Sequence, residues 1–84
     1  VADSLHSDAY RSIIRNLREV REQAGVQQTE LSALLGKAHN YISRIETSER
    51  RVGIVELIVI ASGLGLDPVE LFARIIRDVP PNLE

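Results

Sequence analysis

The side chains in this sequence with the clearest chemical potential are His39, Asn40, Ser43, Arg44 and Thr47, followed closely by Arg50 and Arg51. These types hydrogen-bond to base edges and neutralise phosphates. The arginine fork matches the two acceptors of guanine, and the asparagine amide matches the acceptor and donor of adenine. Catalytic readings are poorer. Ser4, His6, Ser7 and Asp8 are hydrolase residue types, but they crowd into the start of the sequence with no third group to hold them in geometry. His39 as a general base or metal ligand has no second histidine or carboxylate pair at helical ligand spacing. The expectation is a binding protein rather than an enzyme, with no metal and no cofactor.

Five helices are predicted to position these groups. The first begins at Ser7 or Asp8, both good N-caps, and stops at Gly25. On a 3.6-residue wheel Tyr10, Ile13, Leu17, Val20 and Ala24 share one face with Ile14 beside them, while Arg11, Arg15 and Arg18 form an opposite, solvated stripe. Arg21 falls at the edge of the apolar face, where a charge requires a partner. The second helix runs from Gln28 to Leu35, with Leu31, Leu34 and Leu35 inward and Gly36 ending it. The apolar pattern resumes with Ala38, Ile42 and Ile45, and two short helices joined by so tight a turn form a helix-turn-helix unit. His39, Asn40, Ser43, Arg44 and Thr47 lie opposite those apolar residues. After a polar loop from Thr47 to Gly53, a fourth helix runs from Ile54 to Ser62 and stops at Gly63 or Gly65. Asp67-Pro68 caps and starts a fifth, predicted to reach Asp78.

Composition agrees with this plan. The chain has 84 residues, no cysteine, few aromatics and many Leu, Ile, Val, Glu and Arg. That suits one all-α domain spanning residues 1–84, with an arm at 1–7, a helical bundle at 8–78 and a tail at 79–84. No apolar run is long enough for a membrane span, and a reducing, cytoplasmic setting is expected. The net charge of −2 argues against nucleic acid at face value, yet it hides an asymmetry. Residues 10–51 carry a net +3 and residues 52–84 a net −3. A basic front and an acidic back suit a protein that meets DNA on one side and a protein on the other.

The run Gly25-Val26-Gln27-Gln28-Thr29-Glu30-Leu31-Ser32 to Gly36, then Asn40-Tyr41-Ile42-Ser43-Arg44-Ile45-Glu46, resembles the Xre family of Cro and phage-repressor-like helix-turn-helix proteins. The likeness extends through Leu57-Ile58-Val59-Ile60-Ala61 to Leu64-Gly65-Leu66-Asp67-Pro68-Val69-Glu70-Leu71-Phe72. It implies an all-α, five-helix, lambda-repressor-like fold whose third helix enters the major groove of double-stranded DNA. By position it places Gln28 against a phosphate or base, His39, Asn40, Ser43 and Arg44 in the groove, and Arg50 and Arg51 near the backbone. It also pairs Arg21 with Glu46. Four departures stand out. Gln27 and Ala38 replace residues that usually cap the second and third helices, so a neighbouring group or a bound phosphate must supply the missing oxygens. Ser48 replaces the usual glycine after the third helix, and Val52 the usual proline before the fourth.

The fourth helix is apolar nearly all round. Leu57, Ile60, Ala61 and Leu64 suffice for the core, which leaves Val55, Ile58, Val59 and Ser62 as a second stripe. Such a stripe on a surface helix points to a two-fold dimer interface, extended by Ile75 or Ile76. The implied function is a homodimeric, sequence-specific transcriptional regulator reading an inverted repeat. An antitoxin or other protein-interaction module of the same fold, with a protein partner, and a restriction-modification controller are the alternatives.

Overall fold

The computed structural model describes residues 7–80. Ser4, His6 and most of the expected arm lie outside the described residues, as does the tail from Pro81. Five helices follow one another: α1 (Asp8–Gln23), α2 (Gln28–Leu34), α3 (Tyr41–Glu46), α4 (Ile54–Gly63) and α5 (Pro68–Ile75). The most extensive helix pairing is α1 with α5, while α2 packs on α3 and α4. The core comprises Ile14, Leu17 and Val20 of α1, Leu31 of α2, Tyr41, Ile42 and Ile45 of α3, Ile60 and Ala61 of α4, Leu64, and Leu71 and Ile75 of α5.

Each helix end has a physical cause. The Ser7 hydroxyl accepts a hydrogen bond from the Tyr10 amide at 3.1 Å and starts α1, and Gly25 leaves it through a left-handed turn at φ 74°. Asp67 accepts from the amide of Val69 at 2.8 Å and starts α5 with Pro68 at its first position. The chain stops α5 at Ile75, short of the expected Asp78. The side-chain amide of Asn16, on α1, donates to the carbonyls of Ile75 at 3.0 Å and Arg77 at 3.1 Å, taking over carbonyls at the helix end, and Asp78 turns left-handed at φ 62°.

The oxygen missing near Ala38 is supplied by another protein group, whereas at Gln27 only the reverse half of a cap forms. Glu30 reaches back to accept from the Gln27 amide at 3.3 Å, half of a capping box. For α3 the donor–acceptor chain runs through Ser32, which is fully buried. Its hydroxyl donates to the Gln28 carbonyl at 2.9 Å and accepts from the Ile42 amide at 3.1 Å, so α2 caps α3 from within the core.

Several wheel assignments need correction. Leu34 is 61% exposed, because the inward line of α2 passes through Leu31, Ser32 and Leu35 and leaves Leu34 on the far edge. Ala24 is exposed as well, since α1 has already ended there. Ile75 is fully buried in the core, so it belongs to no dimer surface. At Gly63 a Cβ would stand 2.8 Å from Leu31 Cδ1, which sets how closely α4 approaches α2.

Replacing Ser32 with Ala leaves the Ile42 amide buried without an acceptor. Such a stranded donor costs about 1–3 kcal/mol. Chemical denaturation should show that loss with an unchanged dependence on denaturant; wild-type stability would mean that α3 does not rely on this cap.

Candidate nucleic-acid interface

α3 is only six residues long, below the length at which a helix holds itself together in water. Its inner residues Tyr41, Ile42 and Ile45 are buried, and its orientation is fixed by polar fasteners at both ends.

At the C-terminal end Glu46 meets Arg21. The guanidinium donates from Nε to Glu46 Oε2 at 2.7 Å and from Nη2 to Oε1 at 3.0 Å, a two-pronged contact. Both side chains are more than 90% buried. Arg21 Nη1 also donates to the Val26 carbonyl at 2.8 Å, and Gln28 Nε2 donates to Glu46 Oε1 at 2.7 Å. The amide of Gln28 is thus turned into this cluster. Beyond α3, Ser48 adopts φ 61°, the left-handed conformation that glycine takes without strain.

At the N-terminal end stands a cluster that no sequence signal singled out. Tyr41 donates its hydroxyl proton to Glu56 Oε2, and Arg50 Nη1 donates to the same oxygen at 2.6 Å. Glu56 Oε1 accepts from the Gly53 amide at 2.8 Å, which caps α4. The Arg50 guanidinium lies 4.9 Å from the centre of the Tyr41 ring, and the Lys37 ammonium 5.6 Å. Burial, then the hydrogen bond to Glu56 and its charge, push the Tyr41 phenol up to about 12. Burial also pushes the Glu56 carboxyl up, but hydrogen bonds from Tyr41, Gly53 and Arg50 outweigh it and hold the acid below its ordinary value. The signal was weak because Glu56 reads as an ordinary first-turn acid of α4; its reach back to α3 depends on tertiary packing.

The residues expected to read DNA fall into two groups. His39 and Asn40 precede α3, Asn40 as its N-cap, and only Ser43 and Arg44 lie within the helix. His39, Asn40 and Arg44 are exposed, and their side chains make no hydrogen bond among the described residues. Ser43 donates to the Asn40 carbonyl at 3.0 Å, and Thr47 turns back to the Ser43 carbonyl at 2.9 Å. Arg51 is exposed with its guanidinium 5.8 Å from the Tyr10 ring. Gln28 and Arg50, by contrast, are engaged by Glu46 and Glu56.

On the opposite side, Val55, Ile58, Val59 and Ser62 of α4 are exposed, and so is Ile76. The apolar surface is wider than the sequence stripe. Ile54, Val69 and Phe72 are exposed too, and an apolar groove of about 350 Å³ runs between α4 and α5 along Ile54, Leu57, Ile58, Val69 and Phe72. Among the described residues no group of acids and histidines is placed to hold a metal, and no helix is long and apolar enough to cross a membrane.

A helix-turn-helix family model matches residues 17–71, the span from α1 through α5 that builds this arrangement. The chain is a helix-turn-helix protein. An Xre-family-like protein from Pseudomonas syringae pv. tomato str. DC3000 superposes with a TM-score of 0.75 at 33% identity, over 86% of this chain and 88% of that one. The restriction-modification controller protein C.AhdI from Aeromonas hydrophila superposes with a TM-score of 0.63, also at 33% identity, over 73% and 92%. The hypothetical transcription factor NHTF from Neisseria shares the fold, with a TM-score of 0.65 at 21% identity over 96% and 85%. No curated protein matches the sequence. This chain belongs to the Xre-like helix-turn-helix family, whose members are DNA-binding regulators.

Glu46→Gln removes the negative charge and leaves the Arg21 guanidinium shielded without a counterion. A buried pair broken on one side costs about 3–5 kcal/mol. Thermal unfolding should record a clear drop in Tm, whereas solvated charges would give near-wild-type melting.

Proposed function

We propose that the chain is a sequence-specific transcriptional regulator that binds double-stranded DNA as a homodimer in the cytoplasm, with α3 in the major groove of each half-site. One observation carries this reading: His39, Asn40 and Arg44 cluster at α3, exposed and without a hydrogen bond among the described residues, while α3 itself is fastened at both ends. Side chains carried at a fastened helix, with their own donors unsatisfied, are free to turn to base edges. Asn40 suits adenine and Arg44 suits guanine, with Ser43 between them. Arg51 and Lys37 supply positive charge at the margin for phosphates. Gln28, at the start of α2, approaches the duplex from the side, its amide shared with Glu46.

A homodimer follows from the exposed apolar surface. Val55, Ile58, Val59 and Ser62 form its α4 part, and Ile54, Val69, Phe72 and Ile76 enlarge it. A patch of that kind on a soluble protein is covered by a partner. A two-fold pairing can set two α3 helices about 34 Å apart, one turn of DNA, and so matches an inverted repeat. The narrower form of this reading, control of a restriction-modification system, is supported by the 33% identity to C.AhdI across 92% of that protein.

Selection of genomic fragments by the purified protein, followed by affinity measurement on the recovered operator, tests the first part. Asn40→Ala or Arg44→Ala should cost roughly 1–3 kcal/mol and relax preference at individual base positions. Unchanged binding by the double variant would show that α3 is not the reading element.

Sedimentation tests the second part. Ile58→Glu should give a folded monomer that binds the operator far more weakly, because the charge meets its own copy across the two-fold axis. A dimeric variant, or wild type that is monomeric at roughly 10 μM, would sink the proposed interface.

A further inference from the structure

The Arg50 guanidinium stands at the start of α3, beside the side chains proposed to read bases, yet it is not available in the way Arg44 is. It donates to Glu56 at 2.6 Å, lies against the Tyr41 ring, and reaches the Arg51 carbonyl at 3.3 Å. Glu56 in turn is no loose surface acid. One oxygen accepts from the Gly53 amide and the other from both Tyr41 and Arg50, so the carboxylate is anchored by α3, the loop and its own helix. Three donors fix it, and toward Arg50 it offers the same kind of anionic oxygen that a phosphate would. Exposed ion pairs ordinarily contribute little because both partners are mobile. Here the acid is held in place, and the pair retains only moderate exposure, 38% for Arg50 and 26% for Glu56.

We infer that Glu56 is an affinity-limiting residue: it occupies Arg50 as an internal substitute for phosphate and withholds that arginine from the DNA backbone. Counting Arg50 as a phosphate contact therefore overstates the positive charge offered to the duplex by one at each half-site. The consequence is weaker sequence-independent binding with no loss of base reading, since Asn40 and Arg44 are untouched. The ratio of operator to non-specific affinity is unchanged, because phosphate contacts raise affinity for every sequence alike; what falls is the fraction of protein held on non-specific DNA.

The inference rests on the DNA-binding reading above, and the experiment separates the two. Affinity of the full chain for its selected operator and for an unrelated duplex is measured by fluorescence anisotropy across a salt series. The proteins are wild type, Glu56→Gln, Arg50→Ala and the double variant, each checked for folding by circular dichroism. Glutamine retains an oxygen for the Gly53 amide while removing the charge. Glu56→Gln is expected to tighten binding to both duplexes and to steepen the log–log salt slope by about 0.9 per half-site. Its advantage over wild type then shrinks about 3.5-fold per half-site, about 12-fold for a dimer on two half-sites, between 50 and 200 mM salt. The double variant should return to the wild-type slope, which assigns the gain to Arg50. Arg50→Ala alone should leave the slope near wild type; a slope shallower by about 0.9 per half-site would show that Arg50 already touches phosphate, and overturns the proposal even if Glu56→Gln fails to fold. An unchanged or shallower slope in folded Glu56→Gln overturns it as well. Wild type that retains no duplex removes the DNA-binding reading itself, and this inference with it.

Discussion

The buried pairing of Arg21 with Glu46 is the constraint on which the arrangement depends. A guanidinium and a carboxylate that are both out of water tolerate little displacement, because each must keep the other. Arg21 belongs to α1, Glu46 to the last turn of α3, and the Val26 carbonyl and Gln28 amide that complete the cluster belong to the entry of α2. Three elements are thereby fixed around one point. The apolar core provides most of the burial and decides which face of α3 is inward, but apolar contact is non-directional and tolerates small slides and rotations. The ion pair does not. It therefore narrows the angle at which α3's outward side chains are presented.

The other end of α3 is fastened by different chemistry for the same purpose. Ser32 holds the Ile42 amide from inside, and Tyr41 reaches Glu56 on α4. A six-residue helix thus borrows its stability from three neighbours. The proximity of Arg50 and Lys37 to the Tyr41 ring places two cations at this end, one of them matched by an acid and the other not bound to one among the described residues. Structure and recognition share the same few side chains here, so a substitution at Tyr41 or Glu56 acts on both.

The sequence made the helices legible because their signals are local. Ser7, Gly25, Gly36 and Asp67-Pro68 are read from one or two residues each, and Arg21 announced its need for a partner by its place on the wheel. What stayed hidden depends on contacts between distant residues. Asn16 ends α5 across 59 positions, Ser32 caps a helix ten residues on, and Glu56 binds back to α3 across 15. The outward turn of Leu34 and the inward place of Ser32 were hidden for another reason: hydrophobicity alone put the leucine inside, whereas the geometry of a seven-residue helix spent that position on a serine with two hydrogen bonds. The buried place of Ile75, by contrast, was legible, since it lies one turn after Leu71 on the same face. The apolar stripe of α4 was visible, but its continuation onto Val69 and Phe72 required knowing how α4 and α5 sit together.

The packing of α1 on α5, sealed by Asn16, also bears on when tertiary structure can form as the chain is made. α1 packs most extensively on α5, so part of its apolar face lacks cover until the fifth helix has been made. A chain growing from the ribosome therefore carries α1, α2 and α3 as unsettled helices through most of its translation, and gains a fixed tertiary structure only when α5 emerges. Closure of the bundle then waits for α1 and α5 to pack on each other. A fragment that ends before α5 lacks both that cover and the carbonyls to which Asn16 donates, so it cannot close the bundle.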